Sequence, residues 1–106
     1  MEFAMTKPDP KTQIELEAAV YRRLAAHLRE RSDVQNIDLM TLAGFCRNCL
    51  ANWMQEAGAA HNITISKDAA RESVYGMPYK DWQAKHQHEA TAGQKAALAA
   101  VKPHKH

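Results

Sequence analysis

Apolar residues recur at spacings of three and four along nearly the whole chain, and only Ile63-Thr64-Ile65 alternates as a strand would. That pattern commits the chain to helices, because a period of 3.6 gathers such positions onto one face. Ile14, Ala18, Tyr21, Leu24, Ala25 and Leu28 form one stripe between about residues 10 and 31, opposite Glu15, Arg22, Arg23 and Arg29. Asp9 is placed to cap this helix, and Pro10 suits its first position. After the polar break Ser32 to Asn36, a longer central helix is expected from Asp38 as cap to about Ala57, stopped by Gly58. Its stripe is Leu39, Leu42, Phe45, Cys46, Cys49, Leu50, Trp53 and Met54.

The second half is more broken. A three-residue strand has no obvious partner, so Ile63 to Ile65 reads as an extended connector. Ser66 caps a short helix that ends at Gly76, and Pro78 opens another that carries Tyr79 and Trp82 toward Glu89. Thr91 and Gln94 have the spacing of a capping box ahead of an alanine-rich last helix whose large aliphatic anchors are Leu98 and Val101. With 19 alanines and no hairpin dipeptide, the fold class is all-α: a compact array of four to five helices around a long central helix that carries Cys46 and Cys49. Residues 1–9 read as a leader, in which Met5 offers an alternative start, 10–101 as a single domain, and 102–106 as a tail.

A chain of 106 residues makes one small domain and excludes an enzyme with a deep interdomain cleft. Its formal charge of +2 sits in the tail, since without Lys102 and Lys105 the remaining 12 basic residues balance 12 acidic ones. A nucleic-acid binder carries a basic stripe on its folded part, and none is visible here. No apolar run has the length of a membrane span or of a signal-peptide core, which points to a soluble cytoplasmic protein. Alanine buries little area per residue, so the core rests on Tyr75, Tyr79 and Trp82, and a second copy of the chain is expected to complete it as a homodimer.

The sharpest chemical feature is the Cys46-x-x-Cys49 pair. Two thiols at this spacing can chelate Zn²⁺ or Fe, or cycle between dithiol and disulfide. They can also be two small buried side chains. A metal needs further ligands, and His86, His88 or Glu89 are the candidates, with the solvated end of a helix as the ordinary reading of that segment. Thiol activation calls for a helix N-terminus, and the pair lies seven residues inside the expected central helix. Arg47, Asn48 and Asn52 form the polar side of that helix, where Arg47 either is solvated or meets an acidic group on a partner. No glycine-rich phosphate loop, Gly-x-Ser-x-Gly or His-Glu-x-x-His string is present, so no catalytic residue is assigned and no cofactor beyond a possible Zn or Fe is implied.

Three strings together carry a resemblance: Gly44-Phe45-Cys46-Arg47-Asn48-Cys49-Leu50 with Trp53, Tyr75-Gly76-Met77-Pro78-Tyr79 with Trp82, and His86-Gln87 with Glu89-Ala90-Thr91 and Gln94. Over about residues 10 to 101 the chain resembles a family of short proteobacterial proteins of unknown function. The segment that in such proteins often reads Thr-Pro-x-Gln is Thr91-Ala92-Gly93-Gln94 here, which keeps the cap and weakens the first turn. The resemblance implies a compact multi-helical fold and no established activity. The function expected is that of an interaction or regulatory module without catalysis, with metal binding at the cysteines as the alternative and thiol redox chemistry as a third.

Overall fold

The first helix, α1, forms where its caps say it should: Asp9 Oδ1 accepts from the Thr12 N–H at 2.8 Å, Pro10 occupies the first turn, and the helix spans Pro10–Glu30. This computed structural model describes residues 7–101, and the expected tail 102–106 and the first six residues of the expected leader lie outside them. Five more helices follow among the described residues: α2 (Asn36–Ala43), α3 (Arg47–Ala60), α4 (Lys67–Tyr75), α5 (Tyr79–His86) and α6 (Ala92–Ala100). The architecture is all-α as expected, with six helices rather than four or five.

The extra helix comes from a break in the expected central one. Gly44 adopts φ 75°, and its N–H bonds to Met40 O, the left-handed stop of a helix. The chain is extended at Cys46, whose carbonyl accepts the first bonds of α3 from Cys49 and Leu50. Asp38 therefore sits in the first turn of α2, and Gln35 takes the cap position. Gly58 does not end α3. It is helical and buried, because the returning connector lies against it: a Cβ there would stand 2.8 Å from Ile65 Cδ1 and 2.9 Å from Ile63 O. Asn62, at φ 60°, makes the reversal instead.

The later caps agree with the sequence. Ser66 Oγ accepts from Ala69 N, Gly76 closes α4 at φ 76°, and Thr91 and Gln94 bond reciprocally as a capping box. Ile63 to Ile65 is an extended connector, pinned where Gln55 Nε2 donates to Ile65 O. α5 ends at His86, short of Glu89.

The core gathers Leu28, Leu50, Ala51, Ala70, Val74, Tyr75 and Trp82 between α1, α3, α4 and α5. Tyr75 is its centre, with ring centroids 5.1 Å from Tyr79 and 4.9 Å from Trp82. Tilted pairs at such distances suit the ring quadrupoles. α3 lies along α4, and α6 packs on α2, where the Gln94 amide donates to the Asp38 carboxylate at 3.2 Å. α1 buries only Ala25 and Leu28, both in its C-terminal half. At about 1.5 Å per residue it is about 31 Å long, and its N-terminal half extends past the core.

Candidate functional site

The chemistry-bearing residues lie around the break at Gly44, because that break turns the start of α3 inward. Arg47, the first residue of α3, is 1% exposed. Its Nη2 donates to Leu28 O at 3.1 Å and Arg31 O at 2.8 Å, and its Nη1 to Val34 O at 2.8 Å and Asn36 Oδ1 at 3.0 Å. The guanidinium lies 5.0 Å from the Trp82 ring centroid, while its buried Nε–H has no hydrogen-bond partner. Two of the carbonyls belong to the C-terminal end of α1, where the helix dipole favours a cation. Burial pulls the Arg47 pKa down against the opposing charges of Tyr75, Cys46 and Asp33, and among the described residues no carboxylate forms an ion pair with the group. The expected role of Arg47 in binding a partner is corrected accordingly: it is an internal tie between α3 and α1. Asn52 does remain exposed.

Asn48 stands in a chain of polar groups. Asn36 Nδ2 donates to Tyr75 Oη at 3.0 Å, Tyr75 Oη donates to Asn48 Oδ1 at 2.8 Å, and Asn48 Nδ2 donates to Tyr79 Oη at 3.2 Å. Burial raises the Tyr75 pKa far above the ordinary phenol value, so the hydroxyl stays a donor. The chain ends in a hollow of about 300 Å³ whose wall includes Asn36, Asn48, Tyr79, His88 and Glu89. Tyr79 also lines a second cleft of about 590 Å³ between α4 and α5, beside Asp68, Arg71, Glu72 and Lys80.

The segment after α5 is held by its backbone. Buried Gln35 donates from Nε2 to His86 O at 2.8 Å and accepts at Oε1 from the His88 N–H at 2.9 Å. The chain thus leaves the helix at Gln87, and the His86 ring lies tilted against Trp82 with centroids 5.7 Å apart. The cysteines lie beside α2. Cys46 Sγ and Cys49 Sγ are 4.0 Å apart, and Cys49 Sγ is 3.9 Å from Met40 Sδ. Both are free thiols, Cys46 buried and Cys49 half-buried.

Among the described residues no three His, Cys, Asp or Glu side chains come together as metal ligands. The expected grouping of Cys46 and Cys49 with His86, His88 or Glu89 is therefore not formed. Gln35 anchors the His86–Glu89 segment beside the hollow, while Cys49 Sγ lies between Cys46 Sγ and Met40 Sδ. The position of the thiols is corrected too. Cys46 is the N-cap of α3, not an interior residue, although burial still pushes its thiol pKa up, the Cys49 thiol adds to this, and the N–H groups of Cys49 and Asn48 oppose it.

A family model described as "Protein of unknown function (DUF1244)" matches residues 34–100. The chain belongs to the DUF1244 family. Among curated proteins, none matches the chain. The DUF1244 match starts at Val34, later than the residue 10 expected from the resemblance, so it holds α2 to α6 and leaves α1 outside. Arg47 binds that outlying helix to the DUF1244 region. Its role was missed from sequence because three of its four acceptors are backbone carbonyls, which have no residue signature. The usable signal was Gly44, a helix stop in front of a possible new cap.

Proposed function

We propose that this DUF1244 protein is an interaction module without catalysis that works as a homodimer joined along α1. The observation that carries this reading is a second apolar stripe on α1, which runs beside the one that meets the core and shares Leu24 with it. Leu16, Val20 and Leu24 are 48%, 69% and 37% exposed at successive turns of the helix. This stripe is symmetric about Val20. A two-fold axis there lays Leu16 of one copy across Leu24 of the other, with the two Val20 side chains meeting at the axis. The antiparallel arrangement also brings the Glu15 and Glu17 end of one helix beside the Arg22 and Arg23 end of its partner, and opposes the two helix dipoles. A contiguous apolar stripe on a protruding helix is a usual mark of a protein contact. The alanine-rich α6 is a poorer dimer surface, because α2 and the Gln94–Asp38 contact already engage one side of it.

Two free thiols 4.0 Å apart suit the reducing cytoplasm, where we place the protein. Among the described residues no helix is long and apolar enough to cross a membrane. Light scattering coupled to size exclusion tests the dimer. The wild type is expected at twice the chain mass and Val20→Glu at the chain mass with unchanged helicity. A wild type that remains monomeric at every concentration would contradict the reading.

A further inference from the structure

We propose that Met40, Cys46 and Cys49 form a three-sulfur site for a soft monovalent metal ion, Cu(I). Two thiols and a thioether meet where the end of α2 faces the start of α3, and the Gly44 turn between them sets their approach. Cys49 Sγ is the middle member, 4.0 Å from Cys46 Sγ and 3.9 Å from Met40 Sδ. Three sulfurs arranged in a plane at about 2.3 Å from one ion stand about 4 Å from each other, so these two separations match two edges of a trigonal site. The remaining edge, between Cys46 and Met40, closes through the unbranched thioether side chain, which has several rotatable bonds.

The donor set selects the metal. Thiolate and thioether sulfur suit Cu(I), which is content with three ligands. Zn²⁺ in a structural site takes four, and no third His, Cys, Asp or Glu stands with the cysteines among the described residues. Access is also in place, since Met40 and Cys49 are each half-buried rather than sealed. On binding, two Cu–S bonds form to the cysteines as two S–H bonds release their protons to solvent, and the Met40 sulfur donates a lone pair. The ion stays Cu(I), and no oxidant or reductant takes part. The resulting site carries one net negative charge, which the neighbouring Arg47 guanidinium and the N-terminus of α3 are placed to offset.

The test titrates reduced, full-length, untagged protein with Cu(I) under anaerobic conditions against a colorimetric Cu(I) chelator. One ion per chain is expected, with protection of both thiols from alkylation that equimolar Zn²⁺ does not confer. Met40→Leu conserves volume and is expected to keep the fold while weakening Cu(I) binding by about tenfold or more, a loss that even an outer-sphere change can cause. X-ray absorption at the copper edge is expected to show sulfur alone in the first shell. The proposal is overturned by failure to take copper from the chelator, by wild-type affinity in Met40→Leu, by Zn²⁺ bound equally well, or by nitrogen ligands such as the terminal His104 and His106.

Discussion

The two halves of α1 are built alike and used differently. Each carries apolar residues at helical spacing, yet the C-terminal half is tied into the body and the N-terminal half is not. The ties are two arginines that satisfy the carbonyl ends of helices. Arg47 of α3 holds Leu28 O and Arg31 O at the end of α1. Arg29 of α1 holds Val74 O at 3.0 Å and Ser73 O at 2.6 Å at the end of α4. The last carbonyls of a helix lack partners within it, so a guanidinium fork spanning them joins two elements where apolar area is scarce. Among the described residues no such tie reaches the N-terminal half, where Ile14, Leu16 and Val20 are exposed. Apolar periodicity thus reports that a face will be covered, and the polar anchors decide whether the same chain covers it.

Removing the principal anchor breaks the contrast most severely. Arg47→Ala empties a buried site and strands four acceptors, a cost on the order of 4 kcal/mol that urea denaturation can measure. The C-terminal half of α1 should then exchange its amides faster. An intermediate effect is expected from alkali. Burial raises the pKa of Cys46 above 9.0 and that of Tyr75 above 10.0, so the folded chain holds these protons more tightly than the unfolded chain. As pH rises, the unfolded state sheds them first and gains, so the stability contributed by both groups is complete below pH 9.0 and declines above it. Denaturation midpoints measured from pH 7 upward should fall, and a Cys46→Ser, Tyr75→Phe variant should fall less. The smallest effect on the stability of the single chain belongs to Val20→Glu, within about 0.5 kcal/mol for a position exposed in the monomer, although that change should abolish the dimer.

The caps were legible in the sequence because they are local: Asp9 with Thr12, Ser66 with Ala69, and Thr91 with Gln94 each act across three residues. Gly76 was legible for the same reason. The break at Gly44 was not, because Leu39, Leu42, Phe45, Cys46, Cys49 and Leu50 keep an apolar rhythm through it. Reading one helix there placed Arg47 on a solvated face and the thiols in a helix interior, so a single local error moved three candidate site residues. The exit of the chain at Gln87 was hidden for another reason. It depends on Gln35, more than fifty residues earlier, whose amide captures one backbone group on each side of the exit. Helical spacing alone also gave no sign that Met40 would meet Cys49.

Amide hydrogen exchange along α1, followed through a dilution series, tests the division of labour most directly. Amides near residues 16 to 24 should be protected at high protein concentration and exchange rapidly on dilution, while those at the start of α3 behind Arg47 stay protected throughout. Protection of both segments that is independent of concentration would contradict a first half of α1 completed by a second copy.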